Sequence, residues 1–112
     1  MPKRDDNLLL QDIIDAGNKI FRYTNALSYD DFIGDELVGD AVLRNLGIIG
    51  KAASRLSSSL QQNNPEIEWR KIKAFRNLLI HEYFGVNISI VWDVIENLLP
   101  DTITAIQSLH SE

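Results

Sequence analysis

Three side chains suited to phosphodiester chemistry lie within eight residues of one another: Arg76, His81 and Tyr83. A guanidinium is always charged and presents a planar fork that suits a phosphate. An imidazole titrates near neutrality, so it can move protons to and from a hydroxyl or a leaving oxygen. Together these groups suit metal-free cleavage of RNA, in which the 2′-hydroxyl attacks the neighbouring phosphate. A purely structural role is the alternative: a solvated arginine, a histidine that caps a helix C-terminus and a half-buried tyrosine.

The spacing of these residues limits how one helix can combine them. Arg76 and Tyr83 are seven residues apart and share a face, whereas Arg76 and His81 are about 140° apart around the helix axis. A regular helix therefore does not aim the arginine and the histidine at one point. Either the last turn is distorted towards Gly85, or a second copy of the chain supplies part of the site. The residues alone leave both alternatives open.

A basic strip precedes Arg76 by one to two helical turns and consists of Arg70, Lys71 and Lys73. The chain carries a formal net charge of −5, so its bulk charge repels nucleic acid. Any contact with RNA phosphates then requires a local cationic patch, and this strip is the predicted one. Asn77, next to Arg76, could add an amide donor to the same site.

Other site classes find little support in the sequence. The chain has no cysteine, which excludes disulfides and thiolate metal sites. It has neither the G-x-S-x-G nucleophile elbow nor a glycine-rich phosphate loop. The second histidine, His110, falls in a C-terminal tail that is predicted to fray and is assigned no role. We therefore expect neither a metal nor a cofactor.

The elements that must carry these residues are predicted to be helices. Apolar residues recur at helical spacing and strand signals are weak, which indicates an all-α fold. We expect one domain over residues 1–112, an antiparallel up-and-down bundle of four to five helices that dimerises. The predicted helices and segments are 6–27, 29–33, 36–61, 65–83, 88–98 and 100–109.

Capping residues define several of these boundaries. The predicted caps are Ser28 and Gly34 around 29–33, Asn64 before Pro65, Gly85 as a left-handed C-cap, and Asn87. Apolar positions cover more than half the circumference of 36–61, which predicts burial on more than one side, in the bundle centre or in a dimer interface. Gly47 and Gly50 within this helix indicate a close helix–helix contact, for which a dimer interface is one candidate.

The motif from Arg76 to Tyr83, Arg-x4-His-x-Tyr, resembles the signature of HepT proteins in the HEPN superfamily. Residues 65–72 before it, Ile90-Val91-Trp92 after it, and residues 40–46 and 48–52 upstream are similar to the family as well. The resemblance covers nearly the whole chain. It implies an all-α, dimeric and metal-independent ribonuclease. In such a protein Arg76 and His81 would be the catalytic pair, drawn from both subunits, with Asn77 as a supporting polar residue.

The resemblance also implies a partner and a control residue. HepT-type toxins are paired with an MntA-type nucleotidyltransferase antitoxin, which transfers AMP from ATP onto the motif tyrosine, here Tyr83. The implied protein is thus the toxin of a type II/VII-like toxin–antitoxin system, acting on RNA in the cytoplasm. The charged N-terminus and the lack of a long apolar stretch agree with this expectation, since they indicate no signal peptide and no membrane span.

The long helix departs from the family's pattern at two positions. Gly47 and Lys51 occupy positions where the family has acidic residues. Loss of these two carboxylates would alter how the catalytic arginine is held or how the dimer packs. The toxin ribonuclease is the leading hypothesis, and these changes together with the net charge support one alternative function. The alternative is a non-catalytic HEPN module that binds nucleotide or scaffolds a nucleotidyltransferase.

Overall fold

Every regular element in the described part of the chain is helical, as the sequence predicts. The computed structural model describes residues 5–80 and 88–110, with the side chains of 78–80 outside the description. The elements are α1 (Asp6–Thr24), α2 (Tyr29–Ile33), α3 (Glu36–Arg55), α4 (Ser58–Asn63), α5 (Trp69–Lys73), α6 (Phe75–Ile80), α7 (Ile88–Asp93), a π-helical turn (Val94–Leu98) and α8 (Leu99–His110). These ranges hold more segments than the four to five predicted, because short breaks divide the predicted helices.

The first helix, α1, packs against both α3 and α8. Ser57, just after α3, donates to the carboxylate of Asp6 at the start of α1, from its backbone nitrogen at 3.0 Å and its hydroxyl at 2.6 Å. Gln11, also near the start of α1, lies 2.7 Å from the ring of His110 at the end of α8. The start of α1 therefore meets the ends of both neighbours, so α1 is antiparallel to each.

The hydrophobic core lies where α1, α3, α5 and α8 meet. Its side chains follow the spacing of one buried face on each helix. The fully buried aliphatic residues of these four helices include Ile13, Ile20, Leu46, Ile49, Ile72, Leu99 and Ile106. Each contributes roughly 1.5–3 kcal/mol by removing its surface from water. This core fixes the positions of α3 and α5, the two helices nearest to the proposed site.

The single long helix predicted over 36–61 is wrong, since the chain breaks between α3 and α4. Leu56 adopts an extended conformation, with φ −62° and ψ 147°. Ser57 then caps α4 by accepting a hydrogen bond from the backbone nitrogen of Leu60 at 3.2 Å. Asp6 also accepts two hydrogen bonds from Ser57, so a local cap and a contact between distant parts of the chain both stabilise the break.

The predicted helix start at Pro65 is also wrong. Asn64 is the C-cap of α4, and its side-chain amide donates to the carbonyl of Leu60 at 2.8 Å. Its carbonyl accepts from the indole nitrogen of Trp69 at 3.0 Å. These bonds hold 64–68 as a turn, so the helix begins four residues later, at Trp69. Ala74 then separates α5 from α6.

The C-terminal helices form one continuous helical run over 88–110. Pro100 lies inside this run, after the π-helical turn, in which the backbone nitrogen of Leu99 donates to the carbonyl of Val94. The predicted fraying at His110 is wrong, because its ring is half-buried and bonded to Gln11. The caps at Ser28 and Gly34 are confirmed. The predicted caps Gly85 and Asn87 lie outside the described residues.

Candidate active site

Arg76 lies in the first turn of α6 with its side chain exposed to solvent. The preceding residue, Phe75, is only 3% exposed and anchors α6 in the core. Asn77, the following residue, is exposed like Arg76. Among the described residues, no carboxylate forms a salt bridge with the Arg76 guanidinium. An anionic ligand therefore meets no competing ion pair from this part of the molecule.

Gly50 of α3 lies directly against the backbone that carries Arg76. A Cβ atom on Gly50 would lie 2.6 Å from the backbone nitrogen of Arg76, 3.1 Å from the carbonyl oxygen of Lys73 and 3.2 Å from that of Ile72. Side chains essentially never approach backbone atoms that closely, so only glycine permits this contact. The predicted close helix–helix contact is confirmed for Gly50, and its partner is the α5–α6 junction of the same chain. A role of this glycine pair in dimerisation stays a prediction.

The three residues of the predicted basic strip have different surroundings, and their role in RNA binding stays a prediction. Arg70 and Lys71 are exposed and Lys73 is half-buried. Lys71 forms a salt bridge with Glu68 at 3.0 Å and lines an open groove against α7. The carbonyl of Lys73, in contrast, faces α3 beside Arg76. Lys73 is thus the member of the strip whose backbone lies against Gly50 together with that of Arg76, whereas Lys71 has a carboxylate partner.

His81 and Tyr83 lie outside the described residues, so the structure does not test their predicted roles. The elements on either side of them are well anchored. The helix before them, α6, packs against α3. The helix after them, α7, is held by Trp92, whose ring lies 5.1 Å from that of Phe32 and 6.1 Å from that of Tyr29. Both helices that flank this segment are therefore held by the bundle.

Two features of the structure were not found from the sequence. The contact between Gly50 and Arg76 joins residues far apart in the chain, and only the glycine pair itself indicated a close approach. The second feature is a row of exposed cations on α3: Arg44, Lys51 and Arg55. Their spacing of seven and four residues is the signal that could have revealed it, because it places them on one side of a helix.

Residues 5–80 and 88–110 contain neither a cluster of metal ligands nor a membrane-spanning helix. No group of three or more histidine or acidic side chains there could hold a metal ion. No helix in the same ranges is both long and apolar enough to cross a membrane.

Comparison with known proteins identifies the family. Residues 13–109 match the sequence model of the family described as "Ribonuclease HepT-like". The chain is 35% identical over 109 residues to "Putative RNase MJ0127" of Methanocaldococcus jannaschii, covering 97% of this chain and 90% of that protein. It is also 35% identical over 98 residues to "Probable ribonuclease HepT" of Thermococcus cleftensis, covering 88% of this chain and 89% of the relative. No solved structure matches. The chain belongs to the HepT-like ribonuclease family.

Proposed function

We propose that this chain is the toxin of a toxin–antitoxin pair and acts as a metal-independent endoribonuclease with Arg76 and His81 as its catalytic residues. Family membership over 13–109 supports the activity class, and relatives bear the names of ribonucleases. The observation that carries the proposal is the position of Arg76 and the lack of a described carboxylate beside its guanidinium. The motif arginine is exposed at the start of α6, on a backbone fixed by Gly50, and no described carboxylate neutralises it.

The proposed reaction is a transesterification within the RNA. The 2′-oxygen loses its proton and attacks the adjacent phosphorus, and the bond from phosphorus to the 5′-oxygen breaks. The 5′-oxygen gains a proton, which leaves a 2′,3′-cyclic phosphate and a 5′-hydroxyl. His81 moves the protons, since an imidazole titrates near neutral pH. Arg76 stabilises the negative charge that builds up on the phosphate oxygens, and Asn77 adds a polar contact.

The proposed site is completed in a homodimer. Arg76 and His81 are about 140° apart on a regular helix, and α6 is helical from Phe75 to Ile80. A second copy that brings its own motif helix to the same cleft would place the arginine of one subunit near the histidine of the other. RNA phosphates would bind along Arg70, Lys73 and Arg76.

Tyr83 is the proposed control residue, and an MntA-type nucleotidyltransferase is the proposed antitoxin. The tyrosine oxygen would attack the α-phosphorus of ATP in the partner's site, forming a phosphodiester with AMP and releasing pyrophosphate and a proton. The attached AMP is bulky and anionic. It would occupy the cleft near Arg76 and repel the RNA backbone, which switches the toxin off.

Growth arrest on expression tests the toxin assignment. We expect the wild-type chain to arrest growth and both Arg76→Ala and His81→Ala to relieve the arrest at equal protein levels. Lys19→Ala removes an exposed cation from α1 and is the matched control, which should remain toxic. Equal toxicity of all four proteins would refute the catalytic assignment.

Intact mass tests the control mechanism. Incubation with the nucleotidyltransferase and ATP should add AMP-sized increments to the chain, and Tyr83→Phe should abolish them. Increments that persist in Tyr83→Phe would contradict the choice of this tyrosine. Purified protein that binds RNA or nucleotide without cleaving RNA would favour the non-catalytic HEPN module instead.

A further inference from the structure

The contact between Gly50 and Arg76 forms a seam between α3 and the α5–α6 junction, with the core on one side and solvent on the other. On α3, Ile49 before Gly50 is fully buried, whereas Lys51 after it is exposed. On α6, Phe75 before Arg76 is buried, whereas Asn77 after it is exposed. The two helices share one core, so their exposed sides at this contact face solvent together. Lys51 of α3 and Arg76 and Asn77 of α6 are therefore exposed residues beside the same helix–helix contact.

Lys51 belongs to a longer row on α3. Arg44, Lys51 and Arg55 lie within about 40° of one another around the helix axis and span roughly 16 Å along it. All three are exposed. Within the described part of the chain, none forms a salt bridge with a carboxylate. Asp40, an exposed carboxylate on the same side, lies one turn before Arg44, so the row is uninterrupted by acidic residues from Arg44 to Arg55.

We propose that Arg44, Lys51 and Arg55 form a binding track on α3 for the phosphate backbone of single-stranded RNA, continuous across the seam with Lys73 and Arg76. The inference rests on the proposed function, because it extends the RNA site next to the motif arginine. A chain with a net charge of −5 needs a local cationic surface to hold RNA. Lys71, which is paired with Glu68, contributes little to such a surface, and the α3 row supplies cations that no described carboxylate pairs.

RNA binding measured apart from cleavage tests this track. The probe is a fluorescently labelled single-stranded RNA with 2′-O-methyl groups throughout, which lacks the attacking hydroxyl, and the readout is anisotropy at several salt concentrations. The test variant is Lys51→Ala/Arg55→Ala. The control is Lys19→Ala/Arg22→Ala on α1, which also removes one lysine and one arginine from exposed positions and changes the net charge equally.

We expect the α3 double variant to bind the probe about tenfold more weakly at low salt. Loss of two phosphate contacts should also reduce the slope of log affinity against log salt by about 1.4. The α1 control should bind as tightly as wild type to within about twofold. Equal weakening of both variants would show a bulk charge effect and overturn the track. Wild-type binding by the α3 variant, or no binding by wild type, would also overturn it.

Failure of the track and failure of the ribonuclease proposal give different results. If the α3 variant loses RNA binding but the wild-type chain cleaves no RNA, the track stands and the catalytic proposal falls. If wild type cleaves RNA and the α3 variant binds the probe normally, the catalytic proposal stands and the track falls. Normal RNA binding with weakened binding of the nucleotidyltransferase would assign the row to a protein partner and would refute the track.

Discussion

Gly50→Ala is the substitution that most directly tests how the fold positions Arg76. The added Cβ would lie 2.6 Å from the backbone nitrogen of Arg76, whereas ordinary contacts begin near 3.4 Å. All three of its nearest neighbours are backbone atoms, which cannot rotate away. The α5–α6 junction must therefore move from α3 by about 0.8 Å. Overpacking of this kind costs about 1–3 kcal/mol, and replacing a helical glycine by alanine returns about 1 kcal/mol.

The expected net loss of stability for Gly50→Ala is therefore about 1 kcal/mol, or a fall of roughly 4 °C in Tm. The effect on the reaction should be larger than the effect on stability. A misplacement near 1 Å can slow catalysis by about a hundredfold, so we expect kcat on RNA to fall between about tenfold and a hundredfold. Single-turnover cleavage and thermal denaturation measure the two quantities on the same protein.

Gly17→Ala is the matched control for this experiment. Gly17 is a buried glycine of α1, a helix that does not form the seam. A Cβ there would press on the Ile103 side chain, 2.7 Å from its Cγ1 atom. The helix-propensity gain is the same as at Gly50, but the contact is with a side chain that can shift, whereas the neighbours of Gly50 are backbone atoms. We expect a smaller fall in Tm than in Gly50→Ala and no change in kcat. Wild-type kcat in Gly50→Ala, or an equal loss of kcat in Gly17→Ala, would refute the positioning role.

Three further predictions concern the contacts that shape the bundle. Asp6→Ala removes the acceptor for two hydrogen bonds from Ser57. It should lower the free energy of unfolding, measured by urea denaturation, by about 1–2 kcal/mol. An unchanged midpoint would contradict this role of Asp6. Trp69→Phe removes the indole donor to Asn64 and should cost about 1 kcal/mol by the same measurement, so a neutral result would count against this bond. Lys71→Ala breaks a salt bridge between side chains that are 64% and 50% exposed, and should change stability by less than about 1 kcal/mol. A larger loss would show that this pair matters more than its exposure indicates.

The sequence predicts best where local chemistry decides the structure. Ser28 and Gly34 bound α2 as expected, because the capping box of Ser28 and Asp31 involves residues only three apart. Asp5 caps α1 in the same local way, by accepting from the backbone nitrogen of Leu8 at 3.0 Å, although this cap was not among those predicted. Helical periodicity likewise gave the all-α fold, since the buried face of each long helix repeats at helical spacing.

Predictions failed where distant residues decide the structure. The break at Ser57 combines a local signal with a distant one: Ser57 caps α4 through the backbone nitrogen of Leu60, and it also donates to Asp6, 51 residues away. His110 was predicted to lie in a frayed tail, but its ring lies 2.7 Å from the side chain of Gln11, 99 residues away in the sequence. The candidate site shows the same difference between what local sequence reveals and what depends on distant packing. Arg76 was identified from its motif, whereas Gly50 could not be matched to it before the packing of α3 on α6 was known.

Cleavage of RNA by the purified chain in the presence of EDTA tests the proposed metal-independent ribonuclease, with the chemistry of the fragment ends as the readout. We expect wild type and Lys19→Ala to produce fragments with 2′,3′-cyclic phosphate and 5′-hydroxyl ends. We expect Arg76→Ala to reduce the rate by about a hundredfold or more, because the charge on the phosphate loses its stabilising guanidinium. Undiminished cleavage by Arg76→Ala, or fragments that carry 3′-hydroxyl ends, would refute the proposed mechanism.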